Sequence, residues 1–312
     1  VVTTGSNTCT AAKPKGENVM KSEATWSFEV GTRGVLAAGR WLPLRSVGWA
    51  ALLSGGTFAF FESTFYLRSW LHLPPNFAYL IFAGVPILAF VAYAAVVQAA
   101  ETRKPIEVMP YAGMLRDILI GAAIGFSMLC ATTALLWSLG LYRVQWNHWQ
   151  HIFDSFLFSA YLSGTMEELL FRAILLRILA RAFGAGWGLV VSSTLFGLAH
   201  LGHGSQLAPF EIMINGGLTL GLLYMVTGRL WMSVGMHTAW DFTEDSVLGV
   251  GNHNGLLLST PVSGKSDLLT GGHFGPDASL LSTIIGILVI LAIIYASKKG
   301  FLPTTTTFRS EL

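Results

Sequence analysis

Eight stretches of mostly apolar residues run through this 312-residue chain, at roughly 47–67, 76–100, 117–140, 155–180, 185–201, 210–228, 230–249 and 277–297. A helix that crosses the hydrocarbon core of a bilayer needs about 20 such residues. Lipid offers the backbone no hydrogen bonds, so each run must satisfy its own. The pattern predicts an all-α, polytopic membrane protein with about eight transmembrane helices. Composition agrees: 53% of the residues are hydrophobic and 12% charged, against about 25% charged in soluble domains.

The loops then set an orientation. Fifteen Lys and Arg residues fall in the N-terminal tail, after the second span, near the end of the fourth, after the sixth and after the eighth. The alternate loops hold three, Arg68, Arg143 and Lys265. Basic residues concentrate on the cytoplasmic side, so both termini are expected in the cytoplasm and the protein in the cell membrane. Residues 1–45 read as a flexible polar tail, 46–150 as the N-terminal membrane helices and 301–312 as a C-terminal tail. The turn signal at Gly228 and Arg229 predicts an antiparallel pair of spans, and the Gly- and Ser-rich segment 251–276 reads as a loop.

Several classes are disfavoured. A net charge of +2, spread over many loops, gives no reason to expect a nucleic-acid partner. Cys9 in the tail and Cys130 in a span do not make a disulfide framework. Residues 1–30 lack the pattern of a cleavable signal peptide, and Met20 is a candidate start.

The fourth span contains "SGTMEELLFRAILL", residues 163–176, with Glu167, Glu168 and Arg172 among twelve Phe, Leu and Ile residues between Ser155 and Ala180. Three charges at mid-membrane cost about 9 kcal/mol, and twelve large apolar residues return about 6. These charges need partners. Glu168 and Arg172 stand four apart on one helix face and can neutralise each other. Glu167 points about 100° away and has no such partner. It is the carboxylate left for chemistry, and a general base works best with a pKa near the operating pH.

Two more spans carry ionisable groups. The fifth ends in "FGLAH" with His200, and the seventh holds "HTAWD", with His237 and Asp241 on one helix face. Intramembrane ionisable residues usually face the bundle interior and mark function. Helix glue, a proton-coupled transporter and a catalytically silent scaffold or bacteriocin-immunity protein are the competing readings. Glu62, Asn215, Glu244 and Asp245 read as packing or cavity-lining groups; His203, His253 and His273 read as solvated. The HExxH, GxGD and GxSxG protease signatures are absent.

In order along the chain stand Glu-Glu-x-x-x-Arg at 167–172, Phe-x-x-x-His at 196–200 and His-x-x-x-Asp at 237–241. This set resembles the CaaX protease and bacteriocin-processing family, intramembrane endopeptidases related to the type II CaaX prenyl protease. "GLLYMVTGRLWMSVGMHTAWDF" and "GGHFGPD" also look like bacterial members, and the resemblance covers about residues 150–290, within an expected protease core at 151–300. It implies a membrane-associated peptide or protein substrate, prenylated at a CaaX terminus in eukaryotes. It also implies that Glu167 and His200 activate a water, and that His237 and the residue at 241 stabilise the oxyanion. Asp241 departs from the Asn of eukaryotic relatives. An ionised Asp has no donor, so it must be protonated or must orient His237. No cofactor is expected; the alternative is zinc held by Glu167, His200, His237 and Asp241, whose ligand types suit that metal.

Overall fold

The chain is seen here as a computed structural model that describes residues 33–72, 74, 76–149, 152–201, 208–250 and 255–302. Each of the eight apolar runs forms one helical rod. Helix α1 (Leu42–Trp70) starts with Pro43 in its first turn, where a missing N–H costs nothing. Helices α2 (Asn76–Ala100) and α3 (Met114–Ser138) follow. The fourth rod is continuous from α4 (Ile152–Tyr161) through π-helical turns at Leu162–Glu167 and Leu169–Leu176 into α5 (Arg177–Phe183). Helix α6 (Ala185–Ala199) is the fifth. The sixth joins α7 (Ala208–Ile212), a π turn at Met213–Leu218 and α8 (Thr219–Thr227). Gly228, in the left-handed region at φ 65°, reverses the chain into α9 (Trp231–Phe242), which ends in a π turn at Thr243–Val247. After α10 (Asp267–Thr270), α11 (Leu280–Lys299) is capped by the Ser279 side chain, which accepts from the Ser282 N–H at 3.1 Å.

Four rods, Tyr79–Ala100, Met114–Ser138, Ala208–Thr227 and Leu280–Lys299, are long and apolar enough to cross a membrane. Helix α6 has 15 residues, a length of about 22 Å against a core of about 30 Å.

The structure corrects two expectations. Segment 251–276 is not simply a loop. Strand β1 (Tyr142–Trp146) pairs antiparallel with β2 (Leu257–Pro261), Tyr142 opposite Pro261 and Trp146 opposite Leu257, and α10 follows. The weak sequence signal reflects a two-stranded ribbon with little buried surface. The supposed flexible tail also ends earlier than residue 45. Residues 1–32 lie outside the described residues, but Leu36 is buried, Val35 N–H donates to Ala100 O at 2.9 Å, and α1 begins at Leu42.

Loop contacts divide as the charges do. In the Lys/Arg-rich set, Thr102 Oγ1 donates to Arg33 O at 2.8 Å and Arg229 to Ile106 O at 2.9 Å. Arg177 pairs with Glu101 at 2.7 Å, and Arg103 pairs with Glu101 at 2.8 Å and with Glu107. Burial pushes the Glu101 carboxyl up, but the two arginines outweigh it and hold it at about 2. In the other set, β1 and β2 pair and Tyr142 OH donates to Thr270 O at 2.9 Å. An even number of crossings must separate loops that meet, and the eight-rod order provides it. Reporter fusions at residues 110 and 265 should therefore read opposite sides, residue 110 the cytoplasmic one; same-side readings would overturn this topology.

Helices α3 and α9 touch backbone to backbone. A Cβ on Gly121 would lie 2.0 Å from Met232 O, and one on Gly125 2.3 Å from Met236 O. Such small residues four apart let membrane helices approach closely. The contact fixes α9, which carries His237 and Asp241.

Candidate active site

The fourth, fifth, sixth and seventh rods and the loop before α11 enclose a cavity of about 200 Å³. Glu167, His200, His237 and Asp241 all line it, so side chains from three separate spans converge on one space. Asn215, Glu244 and Asp245 line it too, while Glu62 lies on α1, away from it. His273 is exposed as expected; His203 and His253 fall outside the described residues.

The π turns set the local geometry. Thr165 Oγ1 donates to Ala160 O at 2.7 Å and Thr219 Oγ1 to Ile214 O at 3.3 Å, each five residues back. Such widened turns recur at functional sites. The first turns a polar ridge towards α9. Ser163 donates to Asp241 Oδ2, a Cβ on Gly164 would lie 2.0 Å from Thr238 Oγ1, and Glu167 Oε2 stands 3.7 Å from His237 Nε2.

Glu168 and Arg172 pair at 3.0 Å, with side chains 0% and 1% exposed. The same oxygen, Glu168 Oε1, also lies 2.7 Å from His237 Nδ1. A carboxylate paired with arginine only accepts, so Nδ1 carries the proton and Nε2 is the nitrogen turned to Glu167 and Asp241 (4.0 Å). The second glutamate thus holds the arginine and also orients a histidine. Arg172 reaches on to Gly216 O at 3.0 Å, tying the π turns of the fourth and sixth rods together.

His200 is fixed differently. Its Nδ1 donates to Phe196 O at 2.9 Å, so in a neutral ring Nε2 is the acceptor nitrogen. The ring packs on Phe196 and Phe274, at centroid distances of 5.0 and 6.0 Å. Phe196 also lies beneath the Arg172 guanidinium, at 4.4 Å, and beside His237, at 5.6 Å. One aromatic ring supports the cation and both histidines, which explains a phenylalanine four residues before His200.

Three contributors escaped the sequence reading: Ser163, Phe274 and Asp277. The last two come from the loop before α11. Gly271, Gly272 and Gly275 there have φ of 80°, 59° and 129°, which favour glycine, and the "GGHFGPD" string was the available signal. Asp277 is 3% exposed, lines the cavity and is hydrogen-bonded to Glu244. Among the described residues, no group of three or more His, Cys, Asp or Glu side chains is arranged to hold a metal ion.

Residues 149–243 match the family described as type II CAAX prenyl endopeptidase Rce1-like. No curated protein and no solved structure matches the chain. All three motifs lie within the matched residues; the "GGHFGPD" loop lies beyond them. Residues 149–243 of this multi-pass membrane protein, which carry all three motifs, are thus similar to the type II CAAX prenyl endopeptidase branch of the CaaX protease and bacteriocin-processing family.

Proposed function

We propose that the protein is a metal-independent endopeptidase of the cell membrane, cutting a peptide bond of a membrane-associated substrate inside the cavity. Glu167 takes a proton from water, and His200 holds that water through Nε2. The water oxygen adds to the scissile carbonyl carbon, and its proton passes through Glu167 to the leaving amine. His237, held by Glu168, donates from Nε2 to the oxyanion once that nitrogen carries a proton. Ser163 fixes Asp241 as an acceptor on one oxygen, leaving the other near His237. The observation that carries this reading is the convergence of Glu167, His200, His237 and Asp241 on one cavity. It is tested by comparing the membrane peptidomes of cells carrying the wild-type protein and Glu167→Ala; products common to both in equal amount would refute it.

Two expectations follow for the purified protein. Zinc should be substoichiometric and activity should survive exhaustive chelation; loss that zinc restores would favour the four-ligand site. Asp241→Asn should keep at least a third of the activity, because its amide oxygen can still accept from Ser163 while its NH₂ faces the cavity. Asp241→Ala should lose about tenfold or more, as loss of one oxyanion-site group costs up to 10²–10³. Equal loss in both variants would point to an essential negative charge.

A further inference from the structure

Away from the catalytic cavity, α3 and α11 leave a groove of about 610 Å³ between them. Its walls are apolar and small: Ile120, Ile124 and Ala131 on α3 face Ile285, Ala292 and Ala296 on α11. Gly121 and Gly125 hold α3 against α9, and Leu302, just past α11, also lines the groove, which the described residues leave unfilled.

The lining residues recur at intervals of three and four, as one stripe on each helix. From Ile120 to Ala131, and from Ile285 to Ala296, each stripe is about 16 Å long at 1.5 Å per residue. That is about half of a hydrocarbon core of about 30 Å, the depth of one leaflet. One step further along, each stripe ends in a cation at the same, Lys/Arg-rich side: Arg116 before Ile120 and Lys299 after Ala296. The Arg116 side chain is 58% exposed although it also meets Asp117 at 3.1 Å. Lys299 is exposed, lies 5.8 Å from the Tyr295 ring and follows Lys298. An apolar slot one leaflet deep with cations at its mouth matches a lipid chain below an anionic headgroup.

We propose that the α3–α11 groove binds one anionic glycerophospholipid of the Lys/Arg-rich leaflet, its acyl chain along the two stripes and its phosphate at Arg116 and Lys299. The headgroup supplies attraction, and the acyl chain occupies space that the described residues leave empty. The site is independent of the peptidase reading, since neither cation nor groove wall lines the catalytic cavity.

The test is native mass spectrometry of the full chain, delipidated in neutral detergent. It is titrated with phosphatidylglycerol, with phosphatidylcholine of the same chains, and with glycerol 3-phosphate. Wild-type protein should take one phosphatidylglycerol at least tenfold more tightly than phosphatidylcholine, and no glycerol 3-phosphate. A cation near an anionic headgroup contributes about fivefold, so Arg116→Gln with Lys299→Gln should weaken phosphatidylglycerol about 25-fold, to the phosphatidylcholine level. Ala292→Phe should abolish retention of either lipid; Ser127→Leu, on the opposite wall, repeats the test if the first variant melts early. Equal affinity for the two lipids, an undiminished preference in the double variant, retention in both filled-groove variants, or a lipid-free dimer seated on this face would each overturn the proposal.

Discussion

Glu167→Gln is expected to lower turnover of a reporter peptide by about 10²–10⁴-fold, the range for a positioned general base, with membrane abundance and melting temperature close to wild type. Glu167 Oε2 is buried with no hydrogen-bond partner among the described residues and stands 3.7 Å from His237 Nε2, beyond hydrogen-bonding distance. Glutamine has the same size and is neutral, so no buried charge is stranded by the change. What it lacks is a site for the proton of the attacking water. The side chain keeps a path to the cavity, being 17% exposed. The measurements are initial rates on a reporter peptide beside detergent melting curves. A variant as active as wild type would remove Glu167 from the reaction; an inactive variant that melts early would assign it to the scaffold.

The long-range part of this arrangement explains what a reader of the sequence could and could not see. Eight apolar runs are a local signal imposed by lipid, and each became a rod. The spacing of His237 and Asp241, or of Glu168 and Arg172, is also local, so one helix turn was enough to pair them. The hydrogen bond from His237 to Glu168 joins positions 69 apart. That from Ser163 to Asp241 joins positions 78 apart. Neither has a sequence signature, because each depends on how α9 lies against the fourth rod. The π turns were invisible for a related reason: Thr165 and Thr219 are ordinary helix residues until their hydroxyls are seen bonding the carbonyls five back. The β1–β2 ribbon was hidden because β2 sits in Gly- and Ser-rich surroundings and each strand has one buried position to mark a face.

That difference bears directly on the two adjacent glutamates. Local spacing gives Glu168 one partner, Arg172; the fold gives it a second, and both converge on a single oxygen. Among the described residues nothing comparable holds position 167, so under the proposed mechanism the two neighbouring carboxylates perform separable tasks. The separation is set by the width of the π-helical turns and by the approach of α9 through Gly164, where a Cβ would lie 2.0 Å from Thr238 Oγ1.

Glu168→Gln should therefore fail in both stability and turnover. Arg172, 1% exposed, would lose its counter-ion, and breaking a buried pair by removing one partner typically costs about 3–5 kcal/mol. Against a total stability of about 5–15 kcal/mol, that loss should show as poor membrane accumulation and a lower melting temperature. Turnover per folded molecule should fall as well, because the neutral amide no longer fixes the proton on His237 Nδ1. Changing Glu168 to Gln and Arg172 to Met together leaves no lone charge, so abundance and melting temperature should recover in part. Activity should not recover with them, since His237 still lacks its carboxylate. Recovery of both would show that Glu168 serves the arginine alone. A stable but inactive Glu168→Gln beside a fully active Glu167→Gln would exchange the roles of the two residues.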